Sequence, residues 1–435
     1  MGARETALCA LIACRKNGAW SNGILKEYCK RDDLDPREAG LASRLCYGVL
    51  QNKMKLDHYL KQLLTGKLRD LHPVVHDILL LGLYQLYEMD KIPESAAVNE
   101  SVVLTKKYCP KQRNASGLVN AVLRNAARSR GQLKEPVELP VLYSHPEGLV
   151  ALLKSYVGDH RLESMLKANN APTPTVIQLN TAKATAQEIK TCIEKDGVTV
   201  TEHPWLSDCF VLENTGNVEQ LEAFTKGLFY VQDAAARLSV LCARIPKGAN
   251  VLDCCAAPGG KSFAAAVSGA GAVVSCDIYS HKVALIENGA KRLGFENIHA
   301  GVQDASAFCP AWEGKMDVVI ADVPCSGYGI IRKKPDIRYK DPDTMKELPA
   351  LQLAILKNQS RYVKPGGILM YSTCTLVRRE NEGVVEKFLK ANPDFSLEPL
   401  ELPDVFPRNQ TGMLALVPGE YDTDGFFICR LRRKV

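Results

Sequence analysis

The sequence predicts a multidomain protein with an all-α bundle first, a small α/β unit in the middle and a Rossmann-like α/β domain last. Three observations carry this. The chain has 435 residues, too many for one ordinary core. Apolar residues recur at spacings of three and four up to about residue 130. From residue 249 the pattern changes to short apolar strands alternating with amphipathic helices. An apolar content of 46% and a charged content of 24% are those of a globular protein with ample material for a core.

The N-terminal periodicity lies in RETALCALIACRKN, AGLASRLCYGVLQN, HPVVHDILLLGLYQLYEM, AAVNESVVLTKKY and SGLVNAVLRNAARSR, with Gly and Pro mostly between these runs. A bundle of about five to seven helices over residues 1–130 follows. These residues hold 21 Lys and Arg against 13 Asp and Glu, whereas the whole chain is only +6. The positive excess is therefore concentrated here, where Lys106, Lys107, Lys111, Arg113, Arg124, Arg128 and Arg130 could meet RNA phosphates. A structural bundle with a solvated basic face explains the same charges equally well.

Residues 131 to about 165 include KEPVELPVLYSHPEG, which reads as a proline-rich linker followed by one helix. TPTVIQLNTAKATAQEIKTCIEKDGVTV then reads as strand, helix, strand, so residues 131–230 are expected to form the linker and the small α/β unit.

Fifteen cysteines show no C-x-x-C spacing, so a disulfide or zinc framework is not expected and most should be small buried residues in a reducing compartment. No run reaches the roughly 18 apolar residues of a membrane span. ALCALIAC at residues 7–14 has the look of a short signal core, but Glu5 precedes it and Arg15 and Lys16 close it. MGARET fits an acylation pattern through Gly2 and Thr6 without a clear second anchor nearby. A cytoplasmic protein is expected.

In the last domain, residues 231–435, ANVLDCCA, AVVSCD, MDVVIAD and GGILMYS read as strands, and SFAAAVSG and HKVALIENGAKRLG as helices. Ligands of such sheets bind beyond the carboxyl ends of the strands. The first strand runs into Cys255, Ala256, Ala257, Pro258, Gly259, Gly260 and Lys261, a loop whose glycines admit a ligand close to the backbone and whose following helix offers free N–H groups. It is not G-x-G-x-x-G. Although Gly260, Lys261 and Ser262 match the end of a Walker loop, Cys255 stands where its first glycine belongs, which argues against a nucleoside triphosphate. Asp277, Asp304 and Asp322 follow at later strand ends. Each alone is more often a cap or turn residue. Together with the loop they point to S-adenosylmethionine, Asp277 suiting ribose hydroxyls and Asp304 an adenine amino group.

Cys325 in DVPCSG and Cys374 in YSTCTL then fall above the same cleft. A thiolate is suited to activating a pyrimidine, because its addition at C6 makes C5 enamine-like. A free thiol is only a few per cent thiolate at neutral pH, so activation is required, and Thr373, Thr375 and nearby N–H groups could supply it.

CAAPGGK, ADVPCSGYGIIRKKPDIRY, YSTCTLVRRENEGVV and DGFFICRLRR together resemble the RNA cytosine-5 methyltransferases over the last 200 residues, and AAVNESVVLTKKY with SGLVNAVLRNAAR resembles the NusB fold. The resemblance implies a NusB-like RNA-binding bundle followed by an S-adenosylmethionine-dependent methyltransferase domain. It implies 16S rRNA as substrate, cytosine 967 as target, Cys374 as nucleophile and Cys325 as the group that assists release. It carries the cofactor positions onto Cys255 to Lys261, Asp277, Asp304 and Asp322, with Asp322 also on N3 of the cytosine and Lys261 orienting the base. Gln178, Gly148 and Tyr328 depart from the family's usual arginine, tryptophan and threonine. No metal and no membrane partner is implied, and a monomer is expected. The alternative is a NusB-like RNA-binding factor whose methylase domain is inactive.

Overall fold

The structure is a computed structural model that describes residues 1–17 and 21–435. It has two compact units, one of Met1–Ala171 with Ile331–Lys340 and one of Pro172–Ile330 with Asp341–Val435.

The first unit is helical: α1 Ala3–Asn17, α2 Ser21–Arg31, α3 Pro36–Leu63, α4 Pro73–Glu88, α5 Glu94–Tyr108, α6 Ala115–Arg128, α7 Leu139–Leu142, α8 Glu147–Val157 and α9 Asp159–Ala168. Helix α3 starts where the sequence marks it, with Asp35 accepting the Glu38 N–H and Pro36 in the first turn. Helix α4 is apolar on nearly every side, and Ile78, Leu79, Leu81 and Leu83 are wholly buried at the centre of the bundle. Over the stretch expected to be a linker and one helix, the structure has α7, α8 and α9. Leu149, Leu153 and Val157 give α8 a buried face, and Leu162, Met165 and Leu166 give one to α9. Part of the basic excess is neutralised within the bundle, with Lys107 on Glu5 and Arg130 on Asp90.

Residues 331–340 are also held in this unit. Arg338 Nη1 donates to the carbonyl oxygens of Gln51 (3.1 Å), Tyr143 (3.3 Å) and Ser144 (3.2 Å) and to Asn170 Oδ1 (2.9 Å). Tyr339 donates to Leu50 O at 2.9 Å, and Ser21 pairs with Asp336.

The second unit contains two sheets. Strands β1 Thr175–Leu179, β2 Thr199–Glu202, β3 Cys209–Glu213 and β4 Phe229–Val231 form an antiparallel sheet in the order β2-β3-β1-β4. Helix α10 Ala186–Glu194 opens with a capping box between Thr185 and Glu188 and packs Ile189 and Ile193 into its core, and the short α11 Glu222–Thr225 precedes β4. The expected strand, helix, strand is thus completed by β3 and β4, two short strands whose apolar runs are too brief for periodicity to separate from loop. Gln178 is buried and donates to Gln232 O at 3.1 Å.

The larger sheet holds β5 Asn250–Asp253, β6 Ala272–Asp277, β7 Ile298–Val302, β8 Met316–Asp322, β9 Val363–Thr373, β10 Phe395–Leu397, β11 Met413–Leu416 and β12 Phe426–Arg433. Its order is β10-β12-β9-β8-β5-β6-β7, with β11 on β12. The five strands from β7 to β9 run parallel, and β12, β10 and β11 add an antiparallel edge. Helices α12 Ala234–Ala243, α13 Gly260–Val267, α14 Ser280–Leu293, α15 Leu348–Ser360 and α16 Glu382–Ala391 accompany it. The strand order reverses between β5 and β8. That reversal opens a crevice at the carboxyl ends of β5, β6, β8 and β9. No described helix is long and apolar enough to cross a membrane, and no group of metal-ligating side chains is present among the described residues. All fifteen cysteines are free.

Candidate active site

Strand β5 delivers Asp253 to the crevice and then turns through Cys254 to Gly259 into α13. Gly259 has a φ of +115°, and a Cβ there would meet the Phe263 ring at 2.3 Å, so both backbone conformation and packing demand glycine. Asp253 is wholly buried; its Oδ2 accepts from Ser262 Oγ at 2.8 Å, while its Oδ1 has no partner. Burial pushes the Asp253 carboxyl up to about 7.

Lys261, in the first turn of α13, reaches across to β8. Its Nζ lies 2.6 Å from Asp322 Oδ2, and Ser372 of β9 donates to Asp322 Oδ1 at 2.7 Å. Burial acts against the ammonium, but the Asp322 carboxylate beside it prevails and raises the lysine above its ordinary value. One ion pair and one hydrogen bond on Asp322 therefore join the ends of three elements that are far apart in sequence.

Cys325 follows β8 and Cys374 follows β9. Adjacent parallel strands bring their sulfurs to 3.3 Å. The hydrogen bond to Cys374, burial and the nearby carboxylates of Glu380 and Asp322 hold the Cys325 thiol well above the ordinary thiol range.

The structure changes the expected part of the threonines. Thr373 Oγ1 donates to Asn381 Oδ1 at 2.6 Å, and Thr375 Oγ1 pairs with Ser326 Oγ at 2.7 Å. Their hydroxyls brace the two loops instead of activating sulfur. Gly329 N donates to Cys374 O at 2.9 Å, and a Cβ on Gly329 would lie 2.0 Å from Gly425 O and 2.8 Å from Cys374 O, so these backbones can approach so closely only with glycine there. Tyr328 is buried beside them.

Among the acids, Asp277 ends β6 with Oδ1 accepting from Tyr279 N at 3.2 Å and lying 3.6 Å from Lys282 Nζ as a longer ion pair. Asp304 is exposed, and its Oδ1 accepts from Ser306 N at 2.8 Å and Ser306 Oγ at 2.7 Å. It caps its own turn, as a lone acid in a loop often does.

Cys255 to Lys261, Asp277 and Asp322 thus stand at neighbouring strand ends with both cysteines, whereas Asp304 lies one strand further out, after the edge strand β7. Sequence reasoning passed over Asp253, which the strand-end logic applied to the other acids could have found. It also passed over Gln352, Glu380 and Asn381, which lie outside that pattern.

Comparison with known proteins supplies the family. A family model described as 16S rRNA methyltransferase RsmB/F matches residues 242–432, one for the NusB family matches residues 1–128, and a ferredoxin-like domain of the same methyltransferases matches residues 145–219. A probable ribosomal RNA small subunit methyltransferase B of Bacillus subtilis is 37% identical over 99% of this chain and 98% of its own.

The chain belongs to the RsmB/F family of 16S rRNA methyltransferases.

Another RsmB/F relative, the ribosomal RNA small subunit methyltransferase B of Vibrio cholerae, is 33% identical over 93% of this chain and 92% of its own. The fold recurs in the crystal structure of PH0851, with a TM-score of 0.81 at 24% identity over 100% of this chain and 99% of that one. It recurs also in NSun6 from Pyrococcus horikoshii with SFG, at a TM-score of 0.59 and 20% identity over 66% of this chain and 98% of that one. The RsmB/F assignment agrees with the layers described above: a NusB bundle, a small four-stranded sheet and a methyltransferase sheet.

Proposed function

We propose that this protein methylates C5 of a cytosine in 16S rRNA, cytosine 967 by family resemblance, through a covalent bond between Cys374 and C6, with S-adenosylmethionine as the methyl donor. The observation that carries the reading is the 3.3 Å contact between two thiols from different strand ends, with the Lys261–Asp322 pair at the same crevice.

The residues suit the cofactor. The Cys255 to Lys261 loop would hold its amino acid portion, where Asp253 Oδ1 is a buried acceptor in want of a donor, and Asp277 its ribose. Asp304 would approach the adenine and Asp322 the reacting end. Bound there, S-adenosylmethionine supplies an electrophilic methyl group.

The chain's own groups do the rest. Cys374 as thiolate forms the S–C6 bond, and the C5=C6 pair moves to C5, which becomes the nucleophile. As the adduct forms, N3 takes a proton from water and Asp322 accepts a hydrogen bond from the resulting N3–H, while Lys261 orients the ring and offsets the developing charge; N3 returns that proton to water on release. Cys325 then loses its proton to water and takes the C5 proton, the C–H pair restores C5=C6, and Cys374 departs as thiolate. Residues 1–130 and 131–230 would dock the RNA through phosphate contacts, with the protein acting as a monomer in the cytoplasm. Such binding should weaken steeply with salt.

The test is a denaturing gel of Cys325→Ser and Cys374→Ser, each incubated with S-adenosylmethionine and unmethylated 16S rRNA, together with 5-methylcytosine analysis of the RNA. Protein shifted by attached RNA in Cys325→Ser alone is the expected result. A shift in Cys374→Ser alone reverses the roles, and no shift in either despite tight RNA binding sinks the covalent reading.

A further inference from the structure

Two consecutive residues hold both cysteine loops. Glu380 and Asn381 lie in the turn between β9 and α16, and both are wholly buried. Asn381 Oδ1 accepts from Thr373 Oγ1 at 2.6 Å and its Nδ2 donates to Thr375 O at 2.9 Å, so it grips both flanks of Cys374. Glu380 Oε2 accepts from Ser326 N at 2.9 Å, the residue after Cys325. It also accepts from Gln352 Nε2 at 3.0 Å, which donates in turn to Pro324 O at 2.9 Å, the residue before Cys325. The pair of Ser326 and Thr375 hydroxyls joins the two grips. The separation of the sulfurs is therefore set by one dipeptide acting on two strand ends.

Packing alone does not call for a carboxylate at 380. Its Oε1 is buried with no hydrogen-bond partner, which opposes folding, and a glutamine could accept the Ser326 N–H with the same shape. What glutamine would lack is negative charge beside Cys325.

We propose that Glu380 and Asn381 are positioning residues that divide the work of the two cysteines, Asn381 setting Cys374 for addition to the base and Glu380 setting Cys325 for release of the product. This rests on the cytosine-5 reading above. In the release step the C5–H bond breaks with its proton going to Cys325 sulfur, the C–H pair becomes the C5=C6 π bond, and the C6–S bond breaks with its pair returning to Cys374. Glu380 acts on this step through Cys325. Its negative charge favours the sulfur that gains a proton, and its hold on Ser326 keeps that sulfur facing C5.

The full-length protein is incubated with S-adenosylmethionine and unmethylated 16S rRNA as wild type, Cys325→Ser, Glu380→Gln and Asn381→Ala. Turnover, the fraction of protein in a denaturant-stable RNA adduct, and the thermal midpoint are measured for each. Glu380→Gln is expected to lose about tenfold or more in turnover while accumulating adduct, and Asn381→Ala to lose turnover without adduct. A purely structural role would lower midpoint and turnover together and trap nothing. If Glu380→Gln lowers the midpoint by more than roughly 10 °C, Gln352→Met, which loosens the same grip and leaves the Glu380 charge in place, carries the same expectation. Adduct in Cys325→Ser but in neither of these variants overturns the inference and leaves the cytosine-5 reading standing. Absence of adduct in Cys325→Ser removes that reading, and this inference with it.

Discussion

Lys261, mostly buried, and Arg338, wholly buried, are cations of the two compact units, and their partners differ in kind. Lys261 faces a single carboxylate, Asp322, that is itself partly open to the crevice. Arg338 donates its hydrogen bonds to neutral oxygens, the carbonyls of Gln51, Tyr143, Ser144 and Asn169 and the amide oxygen of Asn170. Burial accordingly pushes the arginine down to about 10, whereas the carboxylate beside Lys261 raises the lysine. A guanidinium fork suits several fixed carbonyls at once, and an ammonium on a flexible stem can exchange one partner for another. The first arrangement serves to fasten residues 331–340 into the helical unit. Under the proposed mechanism the second would keep a charge available to a substrate.

That contrast can be tested from its strongest consequence downward. Cys374→Ala, beside the Lys261 site, should abolish methyl transfer, a loss of about 10³-fold or more, with little change in thermal midpoint. Radiolabel transfer paired with calorimetry measures both, and residual transfer near wild type would remove Cys374 from the chemistry. Lys261→Met should reduce turnover by about 10²- to 10³-fold, with a smaller cost in stability, because it removes a charge aimed at the reacting base. Equal losses in stability and rate would place Lys261 in the same class as Arg338. Arg338→Met should behave oppositely, lowering the unfolding free energy by about 3 kcal/mol because several buried carbonyls lose their donor. Urea titration measures it, and an unchanged midpoint would contradict the fastening role.

The smallest effect concerns His145, which lies beside Arg338, its Nδ1 donating to Tyr143 O (2.7 Å) and its Nε2 accepting from Asn169 Nδ2 (3.2 Å). Burial, and then the arginine's charge, hold this imidazole well below its ordinary value. The unfolded chain therefore binds the proton first. Stability is full above about pH 6.5 and should fall by up to about 1.4 kcal/mol per pH unit as pH drops below it, until the folded value is reached. His145→Gln should flatten that slope in unfolding experiments between pH 7.5 and 5, and an unaltered slope would assign it to other groups.

Much of the site was legible because strand ends in a parallel sheet converge whatever the loops do. Lys261, Asp322, Cys325 and Cys374 could be placed together from the apolar runs that precede them. Asp304 fits less closely, since the same rule does not say whether a strand is central or at the edge, and the structure has its Oδ1 capping a turn. In sequence the threonines flanking Cys374, with nearby N–H groups, could activate the thiol, because hydroxyls beside a thiol are ambiguous there. Their bonds to Asn381 and Ser326 decide otherwise.

By itself the sequence determined the helical start, the alternating strands and helices of the last domain, and the residues that end each strand, since periodicity and caps are local properties. Tertiary structure alone decided that residues 331–340 belong with the helical unit, that β10, β11 and β12 form an antiparallel edge, and that Glu380 and Asn381 hold the two thiols together. Those are pairings between groups tens to hundreds of residues apart, fixed by the need to satisfy buried donors and acceptors, and no local pattern in the chain records which partner each one finds.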